Sequence, residues 1–218
     1  MSKAFFGELV GTFILVLVSV GSLATDQVVG GRVGLLGIAL ASGLAMAVMV
    51  SSTAAASGGH LNPAVTFGAY IAGRLEGSRA LSYLAAQALG AVAAVFVVSQ
   101  MYPHPVVEAI GMGRPVLAEG ITLGQGMLTD LVLTFALVFV VFGTGLEPRG
   151  PKLGGLYIGL AVTLGMLVGG PLTGAAMNPA RYLGPALLGG GWELWWLYSL
   201  APLVGGGLAA LYYQRLIE

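Results

Sequence analysis

Six apolar stretches, about 4–24, 33–53, 80–101, 124–145, 154–170 and 193–213, leave this chain little choice of solvent. A hydrocarbon core about 30 Å thick is crossed by a helix of roughly 20 apolar residues. Several of the stretches reach that length. Only 8% of the 218 residues are charged, against about 25% in a soluble domain. The pattern predicts an all-α membrane protein. The first stretch contains Glu8 and is too long for the apolar part of a secretory leader, so it reads as a retained span. The formal net charge is zero, which offers nothing to nucleic acid or to an acidic partner. Zero Cys removes disulfides, thiol catalysis and thiolate metal sites. With two His and no clustered carboxylates, neither a metal centre nor a nucleophile–base pair can be assembled. No enzyme activity, cofactor or metal is expected.

The connections sort the basic residues. Lys3, Arg74, Arg79, Arg149, Lys152 and Arg215 share one side if the spans alternate, and Arg32 and Arg114 take the other. The positive-inside rule then puts both termini in the cytoplasm, with the cell's plasma (inner) membrane as the expected location. The longest connection, about 102–123 with "YPHPVVEAIGMGRP", becomes external. Its Pro and Gly predict a capping surface loop rather than a helix, and His104 within it is given no role. Trp192, Trp195 and Trp196 read as an interfacial aromatic belt.

An internal repeat runs through the chain. "ELVGTFILVLV" from Glu8 matches "DLVLTFALVFV" from Asp130, and "LGIAL" from Leu36 matches "IGLAV" from Ile158, both at an offset of 122. Asn-Pro-Ala occurs at Asn62, Pro63 and Ala64 and again at Asn178, Pro179 and Ala180, an offset of 116. One domain over 1–218 is expected, with repeat one about 1–101 and repeat two about 124–218. Three spans per repeat is an odd number, so the second repeat enters the membrane from the opposite face. Such inverted repeats place a site near the bilayer midplane.

Two further segments, about 61–71 and 178–188, are too short to cross. Asn is a good helix N-cap and Pro is pre-set for the first helical position, so each motif reads as a helix start. Two half-helices from opposite faces would meet tip to tip. Irregular backbone at membrane depth is tolerated where it is buried in protein or lines a watery cavity. The carbonyls of Ser57 to His60 and Leu172 to Ala176 are therefore expected to line a pore. At its centre each helix N-terminus carries about half a positive charge, and both Asn side chains offer N–H donors. Such a barrier suits small neutral polar solutes and disfavours cations and proton relay.

At these residues the sequence resembles the aquaporin and glycerol-facilitator family, the major intrinsic proteins. The resemblance spans "GELVGTF", "SGGHLNPAVTFG", "YLAAQALG", "MNPAR" and "APLVGG". It implies six transmembrane helices plus two re-entrant half-helices. It also implies a homotetramer with one pore per protomer and passive permeation of water and small neutral solutes through a lipid bilayer. A second constriction falls by resemblance on Ser42, Met166, Ala175 and Arg181. Water channels carry Phe at the first position and His at the second; glycerol facilitators carry Trp and Gly. Arg181 matches, while Ser42 and Ala175 are small and should widen the opening. Met166 is long and flexible and can partly refill it. Tyr182 stands where glycerol facilitators place Asp. Open filters of small residues are similar to those of the family's metalloid channels, for silicic, boric or arsenous acid.

Glu8 and Asp130 are intramembrane acids at equivalent repeat positions. They could serve a proton relay or a coupled secondary transporter. The family's use is to accept loop N–H groups behind the pore wall, although Glu is usual where Asp130 stands. His60 reads as a structural loop support rather than a pH sensor. Gln87 reads as a hydrogen-bonding partner of a neighbouring helix or loop carbonyl.

Overall fold

The computed structural model describes residues 2–147 and 149–217. Among the described residues, eight helices carry the architecture: α1 (Lys3–Val28), α2 (Gly34–Ser57), α3 (Pro63–Ile71), α4 (Gly77–Met101), α6 (Leu123–Val141), α7 (Gly154–Thr173), α8 (Pro179–Gly189) and α9 (Trp195–Ile217). A ninth, α5 (His104–Ala109), lies in the connection between the repeats. Among the described residues, five helices are long and apolar enough to cross a membrane on those criteria alone. The sixth expected span is α9, 23 residues long, diluted by Trp, Tyr and three consecutive Gly. The expected apolar stretches all become helices, generally longer than read. The fifth runs to Thr173 through Pro171, because its backbone continues to the edge of a re-entrant loop.

Local chemistry explains several ends. Ser2 Oγ accepts from the Phe5 N–H to start α1. Thr122 and Gln125 form a reciprocal capping box at α6. Asp26 Oδ1 accepts from the N–H groups of Val33 and Gly34, both at 2.9 Å, joining the end of α1 to the start of α2. Gly58 (φ 92°) and Gly174 (φ 74°) end α2 and α7 in the left-handed region, at equivalent positions of the two repeats.

The repeats interlock. Within them α1 packs on α4 and α6 on α9, while α2 and α7 pack against each other at the centre. The half-helices cross over: α3 lies against α9 and α8 against α4, so each repeat supports the other's short helix. Close approach at the α2–α7 seam depends on Gly43 and Gly159, where a Cβ on either would press into the other's carbonyl oxygen.

The connection between repeats departs from the expected loop. Pro103 caps α5 and Pro105 sits in its first turn, positions where Pro costs no hydrogen bond, so a helix of six residues forms. A tight turn, Gly111–Gly113, follows with Met112 at φ 56°. On the opposite end of the bundle, Arg74 donates to the Leu146 carbonyl at 3.2 Å and lies over the Phe142 ring. The three Trp are exposed around the start of α9, as a belt requires.

Replacing Gly159 by Leu should separate the seam. Overpacking of this kind costs about 1–3 kcal/mol, so the thermal unfolding midpoint in detergent should fall. An unchanged midpoint would show that the two helices do not meet here.

Candidate functional site

The two half-helices meet tip to tip near the middle of the bundle. Each Asn is extended and caps its helix: Asn62 Oδ1 accepts from the Ala64 N–H at 2.8 Å, and Asn178 Oδ1 from the Ala180 N–H at 3.0 Å. Pro63 and Pro179 hold the first helical positions. The tips are then cross-linked. Asn62 Nδ2 donates to the Met177 carbonyl at 2.8 Å, and Asn178 Nδ2 to the Leu61 carbonyl at 2.9 Å. A primary amide carries two N–H donors, so each Asn keeps a second one. Both Asn line the central cavity.

Both loops before the half-helices adopt the same unusual backbone. Gly59 (φ 64°) corresponds to Ala175 (φ 42°), and Leu61 (φ 52°) to Met177 (φ 49°). Non-Gly residues in this region cost of order 1–3 kcal/mol each and persist where surroundings over-determine them. Here the clamps are visible. Ser57 Oγ accepts from the Gly59 N–H and Thr173 Oγ1 from the Ala175 N–H, both at 3.1 Å. Tyr83 donates to the Ser57 carbonyl at 2.5 Å, and Tyr198 to the Thr173 carbonyl at 2.7 Å. Ala118 N–H takes the Leu172 carbonyl. These three carbonyls, expected to face a pore, are therefore bound to the scaffold, because they close helix ends. The aromatic clamps went unread in the sequence, although Tyr recurs at matched positions of the third and sixth spans.

The buried acids lie behind the loops. Glu8 accepts from the N–H groups of His60 (2.9 Å) and Leu61 (2.7 Å) and from Gln87 Nε2 (2.7 Å). Gln87 also reaches Thr66 Oγ1, which meets His60 Nδ1 at 3.2 Å. Gln87 thus binds side chains rather than the carbonyl that was expected, because a carboxylate is the stronger acceptor. Asp130 Oδ1 accepts from the Met177 N–H at 3.2 Å.

The four residues assigned to the outer constriction come together. Ser42, Met166, Ala175 and Arg181 line one cavity of about 30 Å³ with Asn62 and Asn178, room enough for water. Its remaining walls are largely apolar: Leu15, Met46, Leu137, Val162, Ala176 and Met177, with Ser19. Met166 and Arg181 also line a larger cavity of about 500 Å³ walled by Ile110 and Gly113 to Val116, so the two cavities share these two side chains. Arg181 is 8% exposed and donates to the Gly113 carbonyl at 2.7 Å. The connecting loop thereby orients the guanidinium, a role its Gly-Met-Gly turn did not announce. Ser42 Oγ has no protein partner. A separate open pocket of about 260 Å³ is lined by His60, Arg74 and Arg79 beside Ala54 to Gly58. Tyr182 lies outside the passage, its ring stacked on Tyr198 at 4.7 Å and its hydroxyl donating to the Gly191 carbonyl.

Known proteins share this arrangement. Residues 1–213 match the sequence profile described as Major intrinsic protein. Aquaporin TIP4-4 of Zea mays is 43% identical over 223 residues, covering 98% of this chain and 86% of that protein. Aquaporin TIP4-1 of Arabidopsis thaliana is 42% identical over 222 residues, covering 99% of this chain and 86% of its own length. The X-ray structure of the aquaglyceroporin from Plasmodium falciparum superposes with a TM-score of 0.88 at 25% identity, covering 99% of this chain and 96% of that one. Two half-helices joined at their tips beneath an oriented Arg, and relatives alike over almost the full length, lead to one conclusion: the chain is an integral membrane channel of the major intrinsic protein family.

Proposed function

We propose that the chain is a passive pore for water and small uncharged polar solutes, and that its outer filter is wide in its fixed walls and narrowed by one movable side chain. The observation that carries this reading is the composition of the constriction. Ser42 and Ala175 are small, while the long Met166 lines both the mouth and the passage. A thioether chain has three rotatable bonds, so the opening changes with its rotamer. Water passes with Met166 in place, and a glycerol- or urea-sized molecule passes when it swings aside.

Two helix N-termini and the Arg181 guanidinium put positive potential along the passage and oppose cations. At the centre, Asn62 and Asn178 each donate to a passing oxygen. A water held as an acceptor by both cannot readily relay a proton. The second reading, a channel for boric, silicic or arsenous acid, is favoured by the same small walls and by the unpartnered Ser42 hydroxyl, which can bind a solute hydroxyl. A gradient-coupled transporter fits less well, because both candidate acids serve loops: both carboxylate oxygens of Glu8 and Oδ1 of Asp130 accept from loop N–H groups.

In this reading the end with Arg74 and Arg79 is cytoplasmic, as are both termini, and the end with the 102–123 connection is external. The plasma-membrane location expected from the sequence does not stand, because the TIP aquaporins among the relatives point to a vacuolar membrane instead. Rows of exposed side chains on α2 (Leu36, Leu40, Leu44, Val48) and α7 (Leu156, Leu160, Leu164, Val168) are the faces we assign to contacts in a homotetramer.

Stopped-flow light scattering of proteoliposomes tests the reading with water, glycerol, urea and boric acid in one preparation. Fast shrinkage in an impermeant osmolyte is expected, followed by re-swelling with at least one solute. Water flux with every solute excluded would remove the wide filter. Met166→Ala should raise glycerol entry about tenfold, the equivalent of roughly 1.4 kcal/mol off the barrier. Ser42→Phe should slow solute entry while water flux persists; unchanged solute entry in that variant would count against Ser42 as a wall of the passage.

A further inference from the structure

The two repeats provide an internal comparison of how a re-entrant loop is held. In repeat one, Tyr83, Gln87 and Gly90 follow one another along α4; in repeat two, Tyr198, Pro202 and Gly205 follow at the same spacing along α9. The outer members of these sets behave alike. Both Tyr hydroxyls donate to the last carbonyl of the helix before the loop. A Cβ on Gly90 would meet the Leu9 carbonyl, and one on Gly205 the Leu131 carbonyl, again matched positions. Pro202 therefore stands where Gln87 stands.

The middle members differ. Gln87 donates to Glu8 at 2.7 Å and to Thr66 at 3.0 Å. Pro202 has no side-chain donor and no N–H. Asp130, one methylene shorter than Glu8, reaches the Met177 N–H at 3.2 Å through Oδ1. Its Oδ2 has no protein partner although the residue is fully buried. The remaining polar members of the first network are also replaced. Tyr182 is the counterpart of Thr66 and binds Gly191 instead, and Ala176 is the counterpart of His60.

We propose that Asp130 with Pro202 makes the second re-entrant loop the compliant wall of the pore, and that Asp130 is a positioning residue for solute size. Ala175 and Arg181 sit on or directly after that loop, whereas the first loop contributes none of the four filter residues. Two short bonds from loop N–H groups to Glu8, a carboxylate that Gln87 also binds, hold the first loop, whereas Asp130 holds the second through a longer bond from the Met177 N–H, with the Ala176 N–H also turned to it and no side chain beside it. A segment tied by weaker charge-assisted bonds is displaced more easily. Displacing Ala175 outward enlarges the opening beside Met166. The inference rests on the assignment of Ala175 and Arg181 to the filter.

Hydrogen exchange and flux test it together on the full chain in proteoliposomes. In the wild type, amides of 174–178 should exchange faster than those of 58–62. Asp130→Glu, alone and combined with Pro202→Gln, should slow exchange in 174–178 by about fivefold, one hydrogen bond's worth. The same variants should lower the glycerol-to-water permeability ratio. Pro202→Ala restores a helix N–H without a side-chain donor, so it should reproduce neither effect. Equal protection of the two loops in the wild type would overturn the proposal. So would a folded, water-conducting Asp130→Glu protein with both readouts unchanged, or a Pro202→Ala protein that matches Pro202→Gln. Should Asp130→Glu fail to fold, Pro202→Gln alone carries the same expectations. The channel reading fails separately, if wild-type vesicles conduct no water.

Discussion

Everything in this molecule turns on two reciprocal hydrogen bonds, from Asn62 to the Met177 carbonyl and from Asn178 to the Leu61 carbonyl. Half-helices that stop inside a membrane leave N–H groups, carbonyls and a break in the chain where hydrocarbon offers no partner. An unsatisfied backbone group there costs several kcal/mol. Joining the tips through side chains settles much of that cost at once. The Asn oxygen caps its own helix, and one of its N–H groups secures the opposing loop. The other N–H remains for whatever passes.

The same constraint explains the surrounding frame. Leu61, Ala175 and Met177 hold a left-handed backbone that side chains resist, so the loops need clamps from outside. Tyrosines from α4 and α9, hydroxyls of Ser57 and Thr173, and the acids on α1 and α6 supply them. Because α3 rests on α9 and α8 on α4, neither repeat can hold its own half-helix alone. Function follows from this economy of polar groups. A passage with largely apolar walls and a few donors binds a neutral solute weakly at each step, which favours movement over retention.

Where the two halves stop matching, specificity enters. The polar set of Glu8, Gln87, Thr66 and His60 has as its counterparts Asp130, Pro202, Tyr182 and Ala176. The first set is a connected network, and the second replaces it with aromatic stacking and a shorter acid. Three of the four residues we propose as the outer filter, Met166, Ala175 and Arg181, lie on that second side, where the Gly113 carbonyl orients the guanidinium.

Much of this was legible in the residues. Apolar length demanded spanning helices. The Asn-Pro pairs demanded helix starts, and an odd number of spans per repeat demanded inversion. Glu8 at the head of a repeat pointed to a loop support. These inferences concern local chemistry or solvent, which one stretch of chain carries with it. Other features depend on groups remote in sequence meeting in space. Gln87 chose a carboxylate 79 residues away over a carbonyl, and Gly113 took the guanidinium of Arg181 across 68 residues. A short helix formed at His104–Ala109 where Pro and Gly had pointed to a loop. The sequence by itself determined the solvent, the spans and the two capped tips, because each follows from a residue's own hydrophobicity or backbone preference. Only the tertiary structure decided which loop carbonyls are tied to the scaffold, which acid keeps an unpartnered oxygen and where Met166 lies, because those depend on which groups the packing of distant helices brings within 3 Å or so.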